Sequence, residues 1–115
     1  MNSKPFSTQI RLQAEAVTID LQGEIDAFAE AELNAAYTEA ETHNPSKVML
    51  NFQAVDYINS NGIALIVGLL ARARKAHRQL VVFGLSDHYL EIFEITRLVD
   101  FMTIYTDEAA ALQSL

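Results

Sequence analysis

Apolar and polar residues alternate over Gln9–Gln13 and again over Val17–Gln22. Ile10 and Leu12, then Val17, Ile19 and Leu21, take every second place. A period of two predicts half-buried strands, with Ala14-Glu15 as a tight hairpin turn between them. Gly23-Glu24-Ile25-Asp26 ends the second strand. The period then lengthens. Ala29, Leu33, Ala36, Tyr37 and Ala40 recur at helical spacing, Glu30, Asn34, Thr38 and Glu41 take the opposite face, and Asn44-Pro45 stops the helix. Val48–Phe52 is a short apolar strand, followed by Val55 and Ile58, the polar cluster Asn59-Ser60-Asn61, Gly62, and an apolar run from Ile63 to Leu70. A helix is predicted from about Gly62 to His77, a strand over Leu80–Leu85, and a helix capped by Ser86-Asp87 that runs through Leu90 and Phe93 to Arg97. Phe101–Tyr105 reads as a last strand, and Thr106-Asp107 caps a terminal helix over Glu108–Leu115.

The resulting order is β-β-α-β-α-β-α-β-α. Strands joined through helices imply a largely parallel sheet with continuously apolar central strands, and the first hairpin adds an antiparallel edge. No repeat, low-complexity tract or linker divides the chain, so residues 1–115 read as a single α/β domain.

The helix after Gly62 is too apolar for its place. A helix lying on a sheet needs an apolar stripe of roughly 100°, which Ile63, Ile66, Val67 and Leu70 supply. Ala64 and Gly68 then read as close packing against a neighbouring helix. Leu65 and Leu69 read as an exposed apolar strip suited to a protein partner. Ser60 lies between a buried strand and the first turn of this helix, where backbone N–H groups lack partners and the dipole favours negative charge. It is either an ordinary N-cap or a place that receives a phosphate well.

Composition narrows the function classes. Half of the 115 residues are hydrophobic and a fifth are charged, as in a globular domain with its own core. Eight basic against fifteen acidic residues leave a net charge of −7, which argues against nucleic acid and anionic membrane as partners. Half of the positive charge is in Arg72, Arg74, Lys75 and Arg78. It is read as cations complementing a helix C-terminus rather than as a docking patch. The chain has no cysteine, its N-terminus lacks an apolar signal core, and no apolar run is long enough to span a membrane. A soluble, cytoplasmic protein without membrane insertion is expected.

Sites for chemistry are sparse. There is no phosphate-binding loop of either common glycine pattern. His43, His77 and His88 lack metal-site spacing, so no metal or cofactor is expected. Glu24 and Asp26 read as turn residues rather than a catalytic pair. The strand–Ser60–helix arrangement differs from a nucleophile elbow, because Ile58 stands where that motif requires glycine. No enzymatic activity is expected.

Four stretches in order resemble the STAS domain, the fold of bacterial anti-sigma factor antagonists. Gly23-Glu24-Ile25-Asp26 is similar to that family's G-E-[LI]-D turn, and Val48–Gly62 to its strand and D-S-[ST]-G loop, with Ser60 at the phosphorylated serine. Leu80–Leu85 with Ser86 is similar to its next strand and cap, and Ile95–Tyr105 to its L-x-x-x-G-L-x-x-x-F-x-I-Y tail. The resemblance implies a STAS-like mixed sheet with helices mainly on one side. It also implies a cytoplasmic partner-switching regulator of bacterial transcription. Unphosphorylated, such a protein binds an anti-sigma factor that is often itself a serine kinase. Phosphorylation of the loop serine releases that partner, and a serine phosphatase restores binding. The implied partner-binding residues are Asp26, Asn59, Ser60, Asn61 and Gly62, joined by Leu65 and Leu69 of the apolar strip. Asn59 stands in place of the family's usual Asp, Asn61 in place of Ser or Thr, and Arg97 where Gly is common. Asn59 removes a charge, which either eases phosphate acceptance or weakens recognition by an acid-requiring kinase. The alternative is a STAS module without a phosphorylation cycle, a scaffold or a lipid-transport subunit.

Overall fold

The computed structural model describes residues 5–13 and 15–115. The Ala14 half of the expected hairpin turn and the first four residues of the N-terminal stretch lie outside them. The strands are β1 (Ser7–Gln13), β2 (Ala16–Ile25), β3 (Lys47–Ile58), β4 (Gln79–Phe83) and β5 (Thr103–Tyr105). The helices are α1 (Glu30–Glu41), α2 (Ser60–Lys75), α3 (Asp87–Ile95) and α4 (Glu108–Leu112). The strands form one sheet in the order β1-β2-β3-β4-β5. β1 and β2 pair antiparallel, and every other neighbour pair is parallel.

Alternation along each strand divides the core in two. Val17, Ile19 and Leu21, with Val48, Leu50, Phe52, Leu80 and Val82, pack against Leu33 and Tyr37 of α1, Ile66 and Leu69 of α2, and Phe93 of α3. Ala16, Met49, Val81 and Phe83 point the other way and are covered by Ala111 of the short α4. Helices therefore lie mainly on one side, as the sequence predicts. The central strands are apolar at consecutive positions because both faces are covered. On the α4 face, Arg11 donates from Nε and Nη2 to Asp20 (2.7 and 2.8 Å) and from Nη1 to Glu108 (2.8 Å). Asn51 adds a bond to Asp20 at 2.8 Å. This network fastens β1, β2, β3 and α4 together.

Three differences from the sequence reading matter. First, β3 does not stop at Phe52 but runs to Ile58, paired with β2 through two register shifts. β4 ends opposite Asn51, so the last part of β3 follows β2 alone, with Gln53, Ala54, Asp56 and Tyr57 exposed. A ladder solvated like this carries no apolar period to read. Second, α2 is turned from its expected orientation. Leu69 is fully buried, so it cannot belong to an exposed strip, whereas Val67 is 43% exposed. The cause is that α2 packs against α1 as well as the sheet, which extends its buried arc toward Leu69. Leu65 is only partly buried, and Ala64 and Gly68, expected to pack against a neighbouring helix, are exposed instead. Third, β4, α2, α3 and α4 end earlier than expected. Gly84 (φ +83°) ends β4, His77 (φ +59°) and Arg97 (φ +66°) take left-handed conformations beyond α2 and α3, and α4 stops at Leu112.

Candidate functional site

Because β2, β3 and β4 are parallel, their C-terminal ends open onto one rim. Each is followed by a residue whose side chain caps a helical segment. After β2, Asp26 accepts from the Phe28 N–H (2.9 Å) and caps a 3₁₀ turn over residues 27–29. After β3, Asn59 Oδ1 accepts from the Gly62 N–H (2.9 Å) and caps α2. After β4, Ser86 Oγ accepts from the Tyr89 N–H (3.3 Å) and caps α3, as the sequence predicts. The rim at the C-terminal ends of parallel strands is where open α/β sheets place ligand contacts.

Of the two roles open to Ser60, that of N-cap is taken by Asn59. Its amide oxygen, one residue earlier, reaches the third helical N–H. Ser60 is instead the exposed first residue of α2, and Asn61 beside it is also exposed. The helical ladder begins with the Ile63 N–H donating to Asn59 O (2.9 Å), so the Ser60 and Asn61 N–H groups precede it. Arg72, Arg74 and Lys75 occupy the last turn. The positive end of the α2 dipole thus lies at Ser60, with cations at its negative end. Two of those cations are used within the fold. Arg72 pairs with Glu41 at 2.5 Å and lies over the Tyr37 ring at 4.7 Å, and Arg74 lies over Phe101 at 5.1 Å.

Close contacts hold this loop in place. The Asn59 N–H donates to Ile25 O (3.2 Å), and β2 and β3 pair Ile25 with Ile58, so Asp26 and Asn59 leave the sheet side by side. Gly62 is buried so tightly that a Cβ there would sit 2.0 Å from Ile25 O and 2.9 Å from Ile58 Cγ2. No side chain fits. On the other flank, the buried Ile58 N–H donates to the Tyr89 hydroxyl (2.9 Å), tying the loop to the first turn of α3.

The fold thus brings Asp26, Asn59, Ser60, Asn61 and Gly62 to one rim, keeps Leu65 at the flank of α2, and withdraws Leu69 into the core. Two residues at this rim have no counterpart in the sequence reading. Phe28 is 95% exposed on the Asp26 turn, which packs against the start of α2. Its signal was an aromatic residue outside the apolar phase of the helix that follows. Tyr89 supports the loop through its hydroxyl, a contact between distant segments that leaves no local pattern. An open depression of about 410 Å³, lined by Leu12, Glu15, His43 and Pro45, lies at the opposite end of the strands. Among the described residues, no three His, Cys, Asp or Glu side chains converge as a metal-binding group, and no helix is long and apolar enough to cross a membrane.

Comparison with known proteins places this geometry in a family. The STAS domain model matches residues 7–111. The anti-sigma-B factor antagonist of Listeria monocytogenes is 32% identical over 88 residues, covering 76% of this chain and 77% of the relative. The protein of the same name in Staphylococcus aureus is 30% identical over 86 residues, covering 75% and 80%. Among solved structures, an anti-sigma factor antagonist from Mycobacterium paratuberculosis superposes with a TM-score of 0.83 at 18% identity, over 98% of this chain and 97% of that one. The Bacillus cell fate determinant SpoIIAA in its phosphorylated form gives 0.72 at 22% identity, over 95% and 100%. Those two likenesses concern the fold. With the family model spanning nearly all of the sheet and helices described above, the chain belongs to the STAS domain family.

Proposed function

We propose that this protein is a partner-switching anti-sigma factor antagonist. It binds an anti-sigma factor that is also a serine kinase while Ser60 carries a free hydroxyl, and releases it when Ser60 is phosphorylated. A serine phosphatase resets the cycle, and the protein acts in the cytoplasm by binding, not catalysis. Two relatives named anti-sigma-B factor antagonist support the class of function. The observation that carries the switch is the exposed Ser60 at the first position of α2, relieved of capping by Asn59.

A phosphate on Ser60 acts differently on the fold and on the interface. A phosphoserine brings about −1.5 to −2 charges. At the N-terminus of α2 these meet unpaired N–H groups and the positive end of the dipole, so the domain tolerates them and gains a few tenths of a kcal/mol. A docked partner offers no such relief. Covering an uncompensated phosphate beside Asn61, Gly62, Leu65 and Asp26 costs several kcal/mol, and even ~3 kcal/mol weakens binding more than a hundredfold. Asn59 in place of the usual Asp keeps the cap, since both side chains accept the same bond, and leaves the unmodified loop neutral.

The test compares Ser60→Ala, Ser60→Asp and phosphoprotein for melting temperature and for affinity to the anti-sigma factor encoded with this chain. Expected are unchanged melting, tight binding by unmodified protein and Ser60→Ala, and a loss of a hundredfold or more on phosphorylation. Intact mass of protein from its native cell, with and without phosphatase treatment, should differ by one phosphoryl group. Tight binding by phosphoprotein would leave a non-switching STAS module as the better account.

A further inference from the structure

Asn61-Gly62 is the one Asn-Gly pair in the chain, and it carries a chemistry that the docking reading does not use. Asparagine is a thermolabile residue, and a following glycine leaves the next peptide nitrogen unobstructed. In an open chain that nitrogen attacks the asparagine side-chain carbonyl carbon. The Gly62 N–Asn61 Cγ bond forms and the Cγ–Nδ2 bond breaks. Ammonia departs with the proton lost from the Gly62 nitrogen, leaving a cyclic imide. Water then opens the ring at either carbonyl, giving aspartate or its isomer with the main chain routed through Cβ. The amide becomes a carboxylate, with no oxidant or enzyme required.

In the folded protein this attack is held in check. The Gly62 N–H is donated to Asn59 Oδ1 (2.9 Å), Asn61 is helical, and Gly62 is buried against Ile25. Helical dihedrals turn the Gly62 nitrogen away from the Asn61 side chain, so ring closure requires the first turn of α2 to open. The glycine cannot be exchanged for a slower residue, because any Cβ collides with Ile25 O at 2.0 Å. We propose that Asn61 is a site of spontaneous deamidation gated by the Asn59 cap, and that the carboxylate formed beside Ser60 imposes a permanent negative charge on the docking surface. The second half rests on the function proposed above. An acid in the first turn suits the helix dipole, so the aspartate product stays folded while its docking face changes, whereas the isomer lengthens the main chain next to the tightly seated Gly62 and disrupts the first turn of α2.

The full chain is incubated at mildly alkaline pH, and deamidation is followed by peptide mapping. The samples are the parent, Asn59→Ala, Asn59→Thr, Asn59→Asp, and the parent in denaturant, with melting temperature recorded for each. Conversion at Asn61 is expected to be fastest in denaturant and slow in the parent. It should be several-fold faster than the parent in Asn59→Ala, intermediate in Asn59→Thr, and back near the parent rate in Asn59→Asp, whose carboxylate retains the cap. Equal rates in parent and denaturant, or in parent and Asn59→Ala, overturn the gating. Asn61→Asp is then compared with Ser60→Asp for binding to the encoded anti-sigma factor, and both are expected to lose affinity. If Asn61→Asp alone binds as tightly as the parent, the regulatory consequence falls and the proposed function stands. If both bind tightly, the proposed function is what fails.

Discussion

Two glycines of α2 show how much a residue's meaning depends on its surroundings. Gly62 faces Ile25 O at a distance that excludes any side chain, whereas nothing lies within 4 Å of a Cβ built at Gly68. Gly62→Ala should therefore push α2 off the end of β2 and cost about 1–3 kcal/mol, as overpacking does. Gly68→Ala should stabilise the domain by about 1 kcal/mol, because it removes a poor helix former from an open site. Urea unfolding of both variants checks the pair. Equal midpoints would mean that the α2 N-terminus is not seated on Ile25. The Ser60 loop is legible in sequence as a strand-to-helix junction. Its division of labour, Asn59 capping and Ser60 exposed, is not, since both residues are good caps and only the position of the first turn decides between them.

At the scale of elements, the site is assembled from ends of secondary structure that are remote in sequence. The Tyr89 hydroxyl is the acceptor for the buried Ile58 N–H, so α3 fixes the strand that presents Ser60. Tyr89→Phe leaves that donor without a partner, at a cost of about 1–3 kcal/mol. Hydrogen exchange should locate the damage: the Ile58 amide should exchange about tenfold faster for each 1.4 kcal/mol lost, while central β3 amides such as Leu50 follow only the global change. An Ile58 amide that exchanges no faster than in the parent would contradict this role. Helix positions follow from apolar spacing, but the facing of α2 does not. Its apolar run admits more than one buried arc, and contact with α1 selects the one containing Leu69 over Val67.

At the scale of the molecule, the polar network on the α4 face links stability to pH. Burial raises Asp20, but hydrogen bonds from Arg11 and Asn51 and the Arg11 charge outweigh it, so the carboxyl titrates below its ordinary range. Glu108 is lowered as well, chiefly by its hydrogen bond from Arg11. The unfolded chain takes up these two protons near pH 4, at ordinary carboxylate values, and the folded chain only at lower pH. Below about pH 5 the unfolded state thus binds more protons, and stability falls as pH falls. The contribution is complete above that range and lost as pH drops through the folded values. Urea midpoints between pH 7 and pH 3 should show this fall, and Arg11→Met should flatten it. An unchanged slope in the variant would rule the network out as its source.

The order of elements, the strands of the central sheet, the Ser86 cap and the family are all legible along the chain, because these depend on local period, on capping chemistry and on short contiguous motifs. Only the packed molecule decided the reach of β3 to Ile58, the burial of Leu69 and the exposure of Phe28. Each of these depends on which segment lies across from which. That is fixed by strand register and by helix packing against helix, neither of which leaves a mark on the hydrophobic pattern of a single segment.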